Sequence, residues 1–290
     1  YSVCNVLAEA GSKNVLRWVP FAMEEGDLTN MIANKMIRPT TIPQSLEALI
    51  IEQAIAREAL RLSFEQHKEF AVELKGVQQK RTISDAFEQS SSGETLVDLM
   101  ALEMLVGSGG VLSHAPRRHQ AARMLIDAFL PEGITQLAVD SIFMMPQLGI
   151  LSTVHSKAAV EVFEKDCLIR LGTCIAPVGL QKPGRAVLQY EFLLPNKKIH
   201  GELMPGELRM IPVPYEKVEV KLSPAKGMDV GAGKNEMLTT QIYGGIVGII
   251  LDGRGRQPFN LSNISKERIQ NLQIWSDATN EYPTLGLSDG

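Results

Sequence analysis

The residues best suited to chemistry in this chain lie in the stretch LVGSGGVLSHAPRRH, residues 105–119. Three glycines follow a short apolar run and precede a proline and two arginines that open a predicted helix. Glycine lacks a Cβ, so its backbone can approach a flat ring or a phosphate closely and can adopt positive φ. The helix that follows would offer unpaired N–H groups and a positive dipole end to an anion or a hydroxyl. This glycine corner is therefore the candidate ligand site.

The spacing at the corner does not match a known phosphate loop. A G-x-G-x-x-G fingerprint would need glycine in place of Leu112, and a Walker A loop would need lysine followed by serine or threonine. A tight turn, in which glycine only eases packing, therefore stays open as an alternative. The order strand, glycine corner, helix favours the ligand site, because nucleotides bind at the carboxyl ends of strands in α/β proteins.

The elements around the corner follow from hydrophobic periodicity and from turn residues. Apolar residues at three- and four-residue steps predict a long helix over 45–74, and a polar connection is expected at 84–95. A helix at 95–103 and a strand at 104–107 should lead into the corner. Further helices are expected at 117–130 and 155–166, with strands at 137–140 and 167–179.

The amino-acid composition of the chain changes near residue 179. Short runs rich in β-branched and aromatic residues then alternate with proline and glycine, and KVEVKL places Val218, Val220 and Leu222 on one face of a predicted strand. We therefore predict two domains: an α/β domain over 1–179 and a β-rich domain over 180–290.

Composition excludes several classes of function. The 290 residues carry a net charge of -4, which gives no reason to expect a nucleic acid partner. The longest apolar runs are shorter than the roughly 20 residues that span a bilayer, so no membrane association is expected. Three widely spaced cysteines favour reduced thiols in a cytoplasmic protein over disulfides or zinc. The sequence leaves homo-oligomerisation open.

Other motifs have modest interpretations. GMDVGAGKN is more typical of a glycine turn than of a phosphate loop, and Asp252 with Arg254 or Arg256 is expected to form a local ion pair. Cys167 and Cys174 are predicted to be buried and inert. The Met-rich run SIFMMPQLGI is expected in the core, with a partner-contact surface as the alternative.

Several segments together carry a resemblance to a known family. The runs LVGSGGVLSHAP, PEGITQLAVD and MMPQLGILS, followed by KGMDVGAGK and YGGIVGIILDGRGR, resemble the carboxy-terminal part of the glutamate mutase accessory proteins, called MutL or GlmL. That family is similar to the actin, hexokinase and Hsp70 superfamily of ATPases. The resemblance therefore implies an α/β fold, namely the second lobe of an actin/Hsp70-like ATPase followed by a smaller β-rich domain.

The resemblance also implies a function. Members of the family act as ATP-dependent chaperones or reactivases of adenosylcobalamin-dependent mutases, so ATP and ADP are expected ligands and cobalamin enters only through the partner enzyme. A Gly-Gly segment lies against adenosine in the superfamily. The residues that would take this role here are Gly107, Ser108, Gly109, Gly110 and Val111, with His114 beside them. For His114, capping or packing is the alternative.

Catalysis is a separate question. The first hundred residues contain no D-x-G-x-[ST] phosphate loop, and the chain begins at Tyr1 in apolar helical sequence. We interpret the chain as a fragment that binds adenosine but does not hydrolyse ATP, with magnesium held by residues outside it. Two alternatives stay open: a non-catalytic structural or assembly module on an actin-like fold, and a kinase on the same scaffold.

Overall fold

The computed structural model of the chain describes residues 2–71, 96–256, 259 and 261–283. These residues fold into helices and two β-sheets, which confirms the predicted α/β class. The finer prediction, one lobe of an actin-like ATPase followed by a smaller domain, stays a prediction. The predicted polar connection at 84–95 lies outside the described residues. Among the described residues, no helix has both the length and the hydropathy needed to cross a bilayer.

The helices of the described residues are α1 (Val3–Ala10), α2 (Ser12–Leu16), α3 (Glu25–Ile37), α4 (Leu46–Phe70), α5 (Gly110–Ser113), α6 (Arg118–Phe129), α7 (Met145–Val162), which a π-helical turn (Phe163–Cys167) extends, and α8 (Ser265–Ala278). The strands are β1 (Met104–Gly107), β2 (Gly133–Asp140), β3 (Leu168–Ala176), β4 (Leu188–Leu194), β5 (Lys197–Leu203), β6 (Leu208–Ile211), β7 (Lys217–Pro224), β8 (Leu238–Tyr243) and β9 (Gly248–Asp252).

The five-stranded sheet takes strands from both sides of residue 180, whereas the four-stranded sheet takes all of its strands from beyond it. The five-stranded sheet has the order β1-β2-β3-β9-β6, with β1 parallel to β2 and β3 parallel to β9. The four-stranded sheet has the order β5-β4-β7-β8 and is antiparallel throughout. Strands from beyond residue 180 therefore complete the sheet that begins at the glycine corner. The predicted boundary at residue 179 stays a prediction.

The five-stranded sheet is covered on both faces. Cys174 and Ile250 point into a core shared with the helices, whereas Ile175, Ile249 and Leu251 point into a second core shared with the four-stranded sheet. Neighbouring residues of one strand enter opposite cores because side chains alternate across a sheet. The fold thus has three layers: helices, the five-stranded sheet and the four-stranded sheet.

The helix predicted at 45–74 is confirmed over Leu46–Phe70 and ends at Ala71, whereas 72–74 lie outside the described residues; the strand predicted around KVEVKL is confirmed as β7. Ser45 caps α4 by accepting a hydrogen bond from the backbone N–H of Ala48 at 3.2 Å. In β7, Val218, Val220 and Leu222 are each 0% exposed, which confirms the predicted buried face. Burial of this face against the second core is the reason that the alternation was readable in the sequence.

The helix predicted at 95–103 is wrong. Residues 96–103 form bends and turns that lead into β1. The carboxylate of Asp98 accepts hydrogen bonds from the backbone N–H groups of Met100 and Ala101, at 2.9 and 3.3 Å. Aspartate that binds the backbone two and three residues ahead stabilises a turn in competition with a helix, which explains the difference.

The Met-rich run around residues 141–150 is also not core. The helix there begins ten residues earlier than predicted, and most of its apolar side chains face solvent. Ile150 is 73% exposed and Val154 is 86% exposed. The run is therefore exposed, as the alternative of a partner-contact surface requires, and the contact itself stays a prediction.

Candidate functional site

The glycine corner forms a tight link between β1 and α5. Gly109 has a φ of +111°, and its carbonyl accepts hydrogen bonds from the N–H groups of Leu112 and Ser113 at 3.1 and 2.8 Å. A side chain at this φ would be strained, so glycine is required here by the backbone. Gly110 has no such requirement. A Cβ at Gly110 would meet no atom within 4 Å, so its front face is open.

Gly107 has a different role from the two glycines that follow it. A Cβ at Gly107 would lie 3.0 Å from the Leu112 side chain and 3.1 Å from that of Leu125. Gly107 is buried, and it is not among the residues that line the cavity beside the corner. Its lack of a side chain lets α5 and α6 pack against the end of β1.

A cavity of about 660 Å³ opens in front of the corner. Residues 108–112 form one wall, and α1, α3, α4 and the segment at 38–44 form the others. The apolar side chains that line it include Val6, Ile32, Ile51, Ile55, Ala59 and Leu60. The bend is therefore not occluded by its own fold. The volume of the cavity lies within the range of about 300–1,000 Å³ that is usual for small-molecule sites.

Few charged side chains reach this cavity. Lys35 and Glu52 form an ion pair across its wall, with 3.0 Å between Nζ and Oε2, and Lys35 also donates to the carbonyl of Thr41. Arg38 is the third charged residue of the lining. The two cations and one carboxylate leave a positive charge in excess, which favours an anionic ligand.

Ser108 contributes a polar group without a partner to the glycine corner. Its hydroxyl oxygen is buried and has no hydrogen-bond partner among the described residues, although Ser108 lines the cavity. A buried hydroxyl without a partner costs free energy, on the order of 1–3 kcal/mol. The Ser108 side chain would have to rotate toward the cavity before a ligand hydroxyl or ring nitrogen could satisfy this group.

The remaining predicted site residues lie at different distances from the cavity. Val111 lines it and is 36% exposed. His114 ends α5, where its backbone N–H donates to the carbonyl of Gly110 at 3.0 Å, and its side chain is exposed outside the lining. Its nucleotide contact stays a prediction. Arg118 donates to the carbonyl of Ser113 at 2.6 Å and Arg117 to Asn280, so both arginines are engaged within the chain.

Sequence reasoning missed a set of buried charges behind the cavity. We call it the buried charge cluster; its members are Arg57, Arg123, Asp127, Asp252, Arg254, Arg256 and Glu281. The predicted ion pair of Asp252 with Arg254 and Arg256 is confirmed, at 2.8 and 2.9 Å, but it is buried within this larger cluster. The pair of Arg123 and Asp127 was missed although these residues are also four apart, and the other partners are too distant in the sequence to form a pattern.

Asp127 is the centre of this cluster. Its carboxylate lies 2.9 Å from Nε of Arg57 and 2.7 Å from a terminal nitrogen of Arg254. Burial alone would raise the pKa of Asp127, but Arg123, Arg254 and Arg57 outweigh it and lower the pKa to about 2. The carboxylate is therefore ionised at neutral pH and holds three elements together.

Helix α4 separates the cavity from the buried charge cluster. Glu52, Ile55 and Ala59 face the cavity, whereas Gln53 and Arg57 face α6. Residues three and four apart share one face of a helix, so these two sets lie on different faces of α4. Arg57 therefore links α4 directly to Asp127.

Other motifs singled out in the sequence are structural. Asp229 accepts hydrogen bonds from the N–H groups of Gly231 and Gly233 at 2.7 and 3.1 Å, which confirms a turn in GMDVGAGKN. Cys167 and Cys174 are buried, and burial raises the pKa of Cys174 to about 12. Within the described residues, no group of three or more His, Cys, Asp or Glu side chains is placed to bind a metal ion.

Comparison with known families places this geometry in context. The family model described as MutL protein matches residues 1–167, which is more than half of the 290 residues. The chain belongs to the MutL protein family. This is the family of glutamate mutase accessory proteins, so membership indicates an accessory role for that mutase. The matched residues include the glycine corner and α4. Comparisons with curated proteins and with solved structures found no match.

Proposed function

We propose that this MutL-family chain carries the adenosine-binding wall of an ATP-binding chaperone or reactivase that serves an adenosylcobalamin-dependent mutase. The observation that carries the proposal is the cavity of about 660 Å³ at the glycine corner. Side chains of the protein itself could have filled the space in front of this turn, as those of Leu112 and Leu125 do at Gly107. Instead, Gly109 and Gly110 face open space.

The residues of the cavity suit adenosine in three respects. The glycine backbone offers a flat surface for a purine, and the apolar side chains of α3 and α4 form the opposite wall. The hydroxyl of Ser108, which no described residue binds, would be available to the ligand once its side chain rotated into the cavity. Lys35 and Arg38 supply positive charge in the same lining, which suits the phosphate chain of a nucleotide. Hydrolysis is not assigned to any of these residues.

Nucleotide binding would act on a partner through α4. A ligand shifts a conformational equilibrium only by its difference in affinity between two states. Because α4 lines the cavity on one face and binds Asp127 through Arg57 on another, closure of the cavity around ATP would favour one position of α4 relative to α6 and the five-stranded sheet. The mutase would then meet a different surface in the ATP and ADP states.

The test is calorimetric titration of ATP and of ADP into the purified chain and into two variants. Gly110→Val places a branched side chain in the open cavity at a φ that valine tolerates, whereas any change at Gly109 would strain the backbone. Overpacking of this kind costs about 1–3 kcal/mol, so we expect roughly tenfold weaker binding or more. Gly149→Val is the matched control, because Gly149 is also open in a helix but lies on α7.

Two results would contradict the proposal. One is wild-type protein that binds neither nucleotide. The other is binding that Gly110→Val and Gly149→Val leave equally unchanged. In the first case the alternative, a non-catalytic assembly module, gains support from the exposed apolar side chains of α7, among them Ile150 and Val154.

A further inference from the structure

A second cavity, of about 250 Å³, lies far along the chain from the glycine corner. It sits between the turns at 182–185 and 225–228, and we call it the double-turn pocket. Three cations line it: Lys182, Arg185 and Lys226. The other lining residues are apolar apart from Gln181, and none of them is acidic. Its residues lie outside the range 1–167 that matches the family model.

Lys182 and Arg185 lie on the first turn and Lys226 on the second, and a backbone hydrogen bond closes each turn. The N–H of Arg185 donates to the carbonyl of Lys182 at 3.3 Å, with Pro183 at the second position and Gly184 at a φ of +72° at the third. The N–H of Met228 donates to the carbonyl of Ala225 at 2.9 Å, and Gly227 has a φ of +90°. Proline at the second position and positive φ at the third are typical of a type II turn.

The walls of the double-turn pocket are held in place by hydrogen bonds. Val178 and Asp229 exchange two backbone hydrogen bonds of 2.8 Å, which join the loop before the first turn to the loop after the second. The side chain of Gln181 donates to the carbonyl of Gly253 at 2.9 Å. The N–H of Ala225 donates to the carbonyl of Val187 at 3.0 Å. The backbone that carries the three cations is therefore held in place before a ligand binds.

The charges of the pocket are not balanced within the chain. Within the described residues, Lys182, Arg185 and Lys226 form no ion pair. By contrast, Lys198 of β5 pairs with Glu191 of β4 at 2.8 Å. Three positive charges thus gather at one cavity of a chain whose net charge is -4. The positive potential of these three groups favours an anion bound between them.

The chemistry of the lining defines the ligand. A phosphate monoester carries a charge of about -1.5 to -2 at neutral pH and three acceptor oxygens, which matches three cations better than a single carboxylate does. The floor is apolar, with Val187 2% and Met228 1% exposed. From this arrangement we propose that the double-turn pocket binds the phosphate of a small phosphate monoester, whose short apolar part packs against Leu180, an apolar side chain of the lining that is 77% exposed. The proposal does not depend on nucleotide binding at the glycine corner.

The test measures binding of n-butyl phosphate, inorganic phosphate and butyrate to the full chain by calorimetry at low salt. We expect n-butyl phosphate to bind more tightly than inorganic phosphate, and both to bind more tightly than butyrate. Replacement of a single exposed cation, as in Lys182→Gln, Arg185→Gln or Lys226→Gln, should weaken n-butyl phosphate binding about two- to fivefold. The triple variant should weaken it about tenfold or more.

Controls separate this pocket from general attraction and from the glycine corner. Lys217→Gln removes an exposed lysine of β7 that does not line the pocket, and it should leave binding unchanged. Gly110→Val should also leave it unchanged. The proposal is overturned if the triple variant binds n-butyl phosphate like the wild type, if butyrate binds as tightly as n-butyl phosphate, or if inorganic phosphate does. All three cations are exposed, so the variants should fold, which circular dichroism would verify.

Discussion

At the scale of single residues, Asp127 is where the buried charges converge. It lies on α6, and it joins Arg57 of α4 to Arg254, which follows β9. Removal of one partner from a buried ion pair leaves the others without compensation, which costs far more than loss of a surface pair. Asp127 therefore contributes to stability through its ion pairs with three guanidinium groups.

We predict that Asp127→Asn lowers the free energy of unfolding by about 3–5 kcal/mol. The substitution keeps the shape of the side chain but removes its charge, so Arg57, Arg123 and Arg254 lose their common counter-charge. Urea unfolding followed by circular dichroism measures the effect. Asp166→Asn, at an exposed aspartate, is the control, and an equal effect of both substitutions would contradict the role given to Asp127.

The same residue predicts a pH dependence. Its pKa falls from an ordinary value of 3.8 to about 2 on folding, so the unfolded chain binds the proton more tightly. The contribution of Asp127 is therefore complete above about pH 4 and is lost as the pH falls toward 2. Wild type should lose more stability than Asp127→Asn over this window, as urea unfolding at a series of pH values would show.

At the scale of elements, α4 shapes the cavity at the glycine corner. Ala56 and Ala59 present small side chains to it, and the space beyond them is the space that a ligand would fill. Larger residues at these positions would have closed the cavity into an ordinary helix contact. The small residues on this face therefore matter as much as the glycines opposite.

We predict that Ala56→Leu weakens ATP binding without loss of stability. The longer side chain occupies part of the cavity and buries apolar surface worth about 0.8 kcal/mol per methylene, so the fold should gain a little stability. Calorimetry and thermal unfolding measure the two effects. Ala33→Leu makes the same change at an exposed position of α3 that does not line the cavity. Loss of stability together with unchanged ATP affinity would contradict the prediction.

At the scale of the whole molecule, the five-stranded sheet joins both parts of the chain. Strand β9 pairs with β3 on one side and with β6 on the other, so residues from either side of position 179 share one sheet and both cores. The two strands approach closely at Gly172, where a Cβ would lie 1.8 Å from the carbonyl oxygen of Gly248. The buried charge cluster adds a second link through Arg254.

We predict a single cooperative unfolding transition for the chain. Because β9 and Arg254 are shared, loss of either part should expose the core of the other. Circular dichroism and tryptophan fluorescence should give coincident transitions in urea. Two separated transitions would instead support independent domains at 1–179 and 180–290, as expected from the change in composition.

Much of the local structure was predictable because its causes lie close together in the sequence. The glycine corner, the periodicity of α4 and the alternation in β7 each depend on residues within one element. The helix expected at 95–103 failed for a local reason as well, since the turn made by Asp98 competes with helix propensity. The prediction that the run at 141–150 lies in the core failed for a different reason. Apolar composition does not show whether another element of the fold covers the run.

The sequence by itself determined where the backbone could bend, which faces were apolar and which family the chain resembles, because these depend on neighbouring residues. Only the tertiary structure decided that the glycine corner faces a cavity, that Arg57 meets Asp127 across 70 residues and that Arg254 meets it across 127. The double-turn pocket likewise joins loops some forty residues apart. Distant charges carry no mutual pattern in a chain, and packing of the layers alone brings them together.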